Sequence, residues 1–325
     1  MRWNRLSTLS VFFVIVVLAL PLPRAFALAE GTFQRTLQVT GPVNLDLQTG
    51  SGNVQVRTGS ANQVQITGHI KLTSWFGNAE ERIKQIIDNP PIQQSGNDVR
   101  IGKVNDAEFF HNISISYEVA VPPQTRLHSH TGSGDQDIDG LRDTVEVESG
   151  SGELKVTDIG SSVRAEAGSG NITLQQIKGE VRARTGSGSI RATDVAGSFD
   201  AHTGSGHIVL EQSAPGSVRA ETGSGGMELR GVQGSLEATA GSGDVRAEGN
   251  PTGNWAVHTG SGSVRLKLTS DAAFDLNART SSGEISVRQP VTVQGTVSRK
   301  ELRGKVHGGG VPVDVETGSG DIEIE

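Results

Sequence analysis

Eighteen residues separate one Thr-Gly-Ser-Gly from the next along most of this chain. The tetrapeptide, or a Ser- or Ala-headed version of it, starts at Thr49, Thr131, Ser149, Ala167, Thr185, Thr203, Thr222, Ala240, Thr259 and Thr317, with a degenerate Thr-Ser-Ser-Gly at Thr280. From Thr131 to Thr280 the steps are 18, 18, 18, 18, 19, 18, 19 and 21 residues. A spacing this regular means one supersecondary unit stacked on copies of itself. Function in such a chain belongs to surfaces that stacking builds.

Residues 167–184, AGSGNITLQQIKGEVRAR, serve as the type unit. After Gly-Ser-Gly comes an alternating strand with Ile172 and Leu174 on one face. A turn at Lys178-Gly179 leads to a second alternating strand with Val181 and Ala183 inward. Repetition turns each position into a column. The first strand supplies Leu154, Ile172, Ile190, Ile208, Met227, Val245, Val264 and Ile285, and two residues on, Val156, Leu174, Ala192, Leu210, Leu229, Ala247, Leu266 and Val287. The second supplies Val145, Val163, Val181, Phe199, Val218, Leu236, Trp255 and Phe274, then Val147, Ala165, Ala183, Ala201, Ala220, Ala238, Val257 and Leu276. This predicts an all-β, parallel β-solenoid of two-strand coils, each returning one strand spacing higher, ~4.8 Å. Parity puts the motif threonine inside, its hydroxyl available to turn amides. Outside, Glu146, Arg164, Arg182, Asp200, Arg219 and Glu237 form a column of mostly alternating charge that disfavours slipped registers.

The ends break the rhythm. Residues 30–130 show strands at Phe33–Val39, Val43–Leu47, Val54–Val56, Val64–Leu72, Val99–Ile101 and Ile113–Val121. Asn78-Ala79-Glu80-Glu81 reads as a capping box, and Ile83, Ile86 and Ile87 share one face of a short helix stopped by Pro90-Pro91. That helix is expected to cap an open sheet edge. The second turn is the variable edge, with proline in Ser213-Ala214-Pro215-Gly216 and Asn250-Pro251-Thr252-Gly253. Residues 289–316 interrupt the rhythm with a basic, glycine-rich stretch, Ser298–Gly310. Asp321–Glu325 is expected to be a terminal strand whose acids discourage end-to-end pairing. Three parts follow: residues 1–29, an N-terminal region at 30–130, and the regular repeats at 131–325.

Residues 1–29 read as a signal peptide. Arg2 and Arg5 precede an apolar run from Val11 to Leu20, and Ala25-Phe26-Ala27 and Ala27-Leu28-Ala29 offer cleavage sites. Ten apolar residues fall short of the roughly 20 a spanning helix needs. The expected product is exported to the periplasm, envelope or exterior, with no stable membrane insertion after cleavage. Its balance is 26 basic against 36 acidic residues, a net −10 once Arg2, Arg5 and Arg24 are gone. That charge argues against a nucleic-acid partner, which would want a basic face. The chain has no cysteine, so backbone ladders and burial must hold it together without disulfides.

The chemistry-bearing residues are sparse. A calcium roll needs aspartate two residues after the last glycine, and that column here is Ile, Val, Leu or Met. His128 and His130 share a strand face, but a third ligand is not apparent, so neither metal nor cofactor is expected. Asp135, Asp137 and Asp139 form the best acidic cluster, yet sugar platforms are scarce: Tyr117 is the one tyrosine, Trp255 falls in a core column and only Trp75 is left for the surface. The basic stretch containing Arg299, Lys300, Arg303 and Lys305 departs from the repeat, and is the expected contact for an acidic envelope or extracellular macromolecule.

A Val-Pro-Pro lead-in at Val121–Pro123, serial Thr-Gly-Ser-Gly coils, the late His307-Gly308-Gly309-Gly310 and a closing Thr-Gly-Ser-Gly-Asp-Ile from Thr317 together resemble the bacterial putative-adhesin family, over residues 31–325. These are β-solenoid domains of unknown function related to auto-transporter adhesin heads. The resemblance implies an exported cell-envelope protein. The reading is thus a non-catalytic interaction module; a polysaccharide-active enzyme and an accessory of envelope-stress signalling are the alternatives. Export predicts a mature N-terminus at Leu28 or Glu30. Intact-mass spectrometry of the protein from its native host checks this, and finding Met1 on the mature chain would contradict it.

Overall fold

The computed structural model describes residues 30–72, 79–102, 112–293 and 298–325. The expected signal peptide, Asn78, Trp75 and His111 lie outside them. Within them the protein is all-β and solenoid-like, with one helix, Ala79–Asp88. From Thr125 to Leu268 each strand pairs in parallel with its counterpart one coil on: Ile172–Ile177 lies between Leu154–Ile159 and Ile190–Val195, and Val181–Ser187 between Val163–Ala167 and Phe199–Ser205. The expected columns are the core. Their members are buried except Ile285 and Val287, which are partly so.

The Gly-Ser-Gly corner is where successive coils come closest. A Cβ on Gly152 would stand 1.8 Å from the carbonyl oxygen of Gly134, and one on Gly150 would stand 2.4 Å from that of Gly132. Neither position can carry a side chain while the coils stay one strand spacing apart. The threonine ahead of them is inside, as parity requires, but its hydroxyl reaches a carbonyl rather than an amide. Thr185 donates to Gly170 O at 2.9 Å, Thr203 to Gly188 O at 2.8 Å, Thr222 to Gly206 O at 3.0 Å and Thr259 to Gly243 O at 3.0 Å. Each bond crosses to the preceding coil. Outside the same corner, the residue after Gly-Ser-Gly hooks the other way. Asp135 accepts from the Glu153 amide at 2.9 Å, Asn171 from Ser189 at 2.9 Å, His207 Nδ1 from Gly226 at 3.0 Å and Asp244 from Ser263 at 3.0 Å.

The second turn holds a column that the alternation did not predict. Leu141, Ile159, Ile177 and Val195 are fully buried there. Period two would have turned Asp158, Gln176 and Asp194 inward. All three instead take a left-handed backbone, with φ of 51°, 57° and 56°, which shifts parity by one residue. One coil later Gln212 occupies the column, its Nε2 donating to Gly197 O at 3.0 Å. Beyond it the turn flattens: Met227–Ser242 and Val245–Ser261 run through as single strands with register shifts. Pro251 is consequently buried within a strand, whereas Pro215 lies in an exposed turn as expected.

The first and last coils are tucked into the stack, and here the expectation of purely parallel coils fails. The first coil, Val43–Ser51 with Val54–Thr58, has Asp98–Ile101 and Ile113–Val121 on one side and Thr125–Ser133 and Gln136–Asp139 on the other. The last coil, Val311–Ser319 with Ile322–Ile324, slots between Val245–Leu268 and Phe274–Val287. Asp321–Glu325 is therefore not an edge. The inserted layer also corrects two columns: Trp255 and Leu276 both align with Val313, while Phe274 aligns with Val311. The slip is two residues, one full strand period, so Phe274 and Leu276 stay buried. The true outer layers pair antiparallel, giving a mixed sheet: Gln63–Leu72 between Glu30–Gln38 and Ile113–Val121, Ile92–Ser95 on Asp98–Ile101, and Glu301–Val306 between Phe274–Ser282 and Val291–Val293. The helix packs on Glu30–Gln38, as its capping role requires. It buries Ile83 and Ile86, and Arg35 donates to the carbonyls of Ile87 and Asp88 at 3.0 and 3.3 Å.

Leu174→Asp places a carboxylate in the sealed interior and should cost several kcal/mol. Arg182→Ala on the outer face should cost less than ~1 kcal/mol. Denaturant unfolding of the two variants separates them, and equal losses would mean that the inside and outside faces are misassigned.

Candidate interaction surface

The outer faces are ladders of ion pairs. Arg164 meets Glu146 at 3.4 Å and Glu166 at 2.8 Å, Arg182 meets Glu180 at 2.9 Å, and Arg219 meets Glu237 at 3.5 Å. The like-charged neighbours Arg164 and Arg182 thus each have a separate acid. Arg142 donates two bonds to Asp158, at 2.9 and 2.7 Å, and this contact holds the Asp158 carboxyl below the usual carboxylate range. Glu323 is lowered likewise by the bonds from Arg265. Among the described residues five histidines face a glutamate on a neighbouring strand: His69–Glu118 at 3.3 Å, His128–Glu146 at 3.5 Å, His130–Glu148 at 3.3 Å, His202–Glu221 at 3.5 Å and His258–Glu316 at 3.8 Å. His128 and His130 thus have carboxylate partners, and no group of three His, Cys, Asp or Glu able to hold a metal occurs among the described residues.

The acidic trio is engaged as well. Arg57 pairs with Asp137 and, at 3.3 Å, with Asp139, while Asp135 is an acceptor in the corner ladder. Tyr117, behind them, is buried edge-on against Phe33 at 6.4 Å, and burial pushes its hydroxyl pKa up. At the other end, the four predicted contact residues lie together on and just before Glu301–Val306, the strand that closes the last layer. They do not form an uncompensated basic patch. Arg303 pairs with Glu301 at 3.1 Å, Lys305 with Asp275 at 4.0 Å and Arg299 with Glu284 at 3.3 Å, while Lys300 Nζ donates to the Ser281 carbonyl at 3.0 Å. Arg299 is the most exposed of the ion-paired ones, at 86%.

Sequence reasoning missed the concave features. On the first-strand face an open groove of about 640 Å³ crosses four coils between Arg191 and Arg246, over Val209 and Gly226. On the second-strand face a smaller groove of about 380 Å³ runs along Ser198, Ser217 and Ser235. Gly226 was the available signal: it is the one glycine in a corner column otherwise made of Asn, Asp, Glu, Ser and His.

No curated protein matches the chain. Among solved structures, it is similar to a putative cell adhesion protein from Clostridium sporogenes, at 11% identity over 90% of this chain and 99% of that one, with a TM-score of 0.21. It is also similar to a putative adhesin from Bacteroides fragilis, at 12% identity over 91% and 97% of the two chains, with a TM-score of 0.34. A family model, Toastrack DUF4097, matches residues 44–325, which takes in the two tucked coils and every coil between them. The chain belongs to the Toastrack DUF4097 family.

Proposed function

We propose that this protein is a non-catalytic, exported β-solenoid that works as an adhesin-like interaction module of the cell envelope. The observation that supports this most is the rigid, in-register display of its outer side chains. Most coils are bonded to the next at the corner from inside, from outside or from both, so columns of charge keep a fixed spacing over about nine coils, or ~40 Å at one strand spacing each. A surface of this kind reads an extended partner rather than enclosing a small substrate. The carboxylates best placed for glycoside chemistry, Asp137 and Asp139, are spent on Arg57. Carbohydrate turnover by the purified protein would contradict the module reading.

The end of the stack near Arg299, Lys300, Arg303 and Lys305 is its proposed contact for an acidic partner. Arg299 and Lys300 carry most of the weight, because Arg303 and Lys305 brace the closing strand. Arg299→Glu with Lys300→Glu should abolish capture of a partner from cell-envelope fractions while leaving thermal unfolding within a degree or two, as exposed pairs contribute little. Quantitative mass spectrometry of the captured proteins checks this; unchanged capture would rule the site out.

A further inference from the structure

Ten arginines project from the stack between Thr131 and Ser286, and nine of them have a carboxylate within ion-pair distance. Arg191 is the exception. It has no acidic partner among the described residues, and it borders the 640 Å³ groove. The groove exists because the corner ladder lapses at Gly226. A side chain there would stand between the His207 ring and Asp244, 3.5 Å from His207 Nδ1 and 3.3 Å from the Asp244 carbonyl.

Its other polar groups are already committed. Glu228 pairs with Arg230, and Arg246 with Asp244 at 3.3 Å. His207 Nδ1 accepts the Gly226 amide at 3.0 Å, so in the neutral ring the proton is on Nε2, leaving an N–H donor for a ligand. The half-buried side chain of Val209 is directly next to Arg191 in the strand register. Three coil steps, ~14 Å at one strand spacing each, separate Arg191 from Arg246.

We propose that this groove binds a short stretch of an acidic polysaccharide, with a uronate carboxylate on Arg191, a ring hydroxyl on His207 Nε2–H and a sugar face over Val209. The chemistry selects this class. An uncompensated guanidinium takes a carboxylate in a bidentate contact. A neutral imidazole donor and the Asp244–Arg246 pair match hydroxyl groups, and the open trough accepts a chain that enters and leaves at both ends. The assignment deepens the interaction-module reading and rests on it, by naming a ligand for one face of the same stack.

The test is calorimetric titration of the full exported chain with an oligogalacturonate, its methyl-esterified counterpart and monomeric galacturonate. Saturable binding of the acid oligomer is expected, at least tenfold weaker for the ester and for the monomer. Arg191→Gln should lower affinity at least tenfold with unfolding unchanged. Gly226→Asn, at a position whose backbone is not left-handed, refills the column and should also abolish binding while keeping the fold, which circular dichroism verifies. Absence of saturable binding by the acid oligomer would overturn the proposal, as would equal affinity for ester and acid or unaffected binding in both variants. Loss of this binding in Arg191→Gln with retained capture of an envelope protein would leave the module reading standing, which separates the two claims.

Discussion

The hydroxyl-to-carbonyl bond at the Thr- and Ser-headed inner corners is what lets two bare glycines and a serine hold a coil in place. Close approach at Gly-Ser-Gly excludes side chains from both glycines, so the corner itself has little apolar area to bury. A carbonyl turned toward a sealed interior without a donor would cost about 1–3 kcal/mol. The threonine supplies that donor from the next coil, and in doing so fixes both the height and the rotation of one coil on another. Ser149 does the same with Gly134 at 3.2 Å. Where alanine heads the motif, at Ala167 and Ala240, that bond is missing, and at Gly226 the outer one is missing as well, so these corners depend on the backbone ladder.

The same demand for partners explains the ends. A stack of parallel coils presents two raw edges, and a chain terminus is the segment most prone to fray. Here the first and last coils lie one layer in, between neighbours on both sides, and segments with antiparallel partners, Glu30–Gln38 among them, make the outermost layers. The lengthened step between Thr259 and Thr280 is the signature of this arrangement. Its additional residues let the chain climb past a layer that only the C-terminus can fill. Closing such a slot needs contacts between distant parts of the chain, which slows folding of β-rich topologies.

Much of the fold was legible because the period of 18 and the alternation of two report the same geometry. Ile172, Leu174, Val181 and Ala183 could be placed inward from either signal. Legibility ended where a backbone angle changed the parity. Ile159, Ile177 and Val195 were hidden by the left-handed residues just before them, although polar-then-apolar pairs recurring at the coil spacing were there to be read. Layer order was not legible at all: Thr317 carries the same motif as Thr259, and nothing in a repeat names its neighbour. The basic residues around Arg299 were visible as charge, but their acids, Glu284 and Asp275, come from a different part of the coil. The Gly226 groove needed the ladder it interrupts to be recognised first.

The account turns on the inner corner bond, and the most direct measurement is the unfolding free energy of Thr203→Val beside Thr203→Ser. Valine keeps the shape and volume of the buried side chain and removes only the donor to Gly188 O; serine keeps the donor and loses a methyl group. A corner held by this hydroxyl predicts that valine costs about 1–3 kcal/mol and more than serine does. A valine variant as stable as the parent, or one more stable than the serine variant, would show that the stack is held by packing alone.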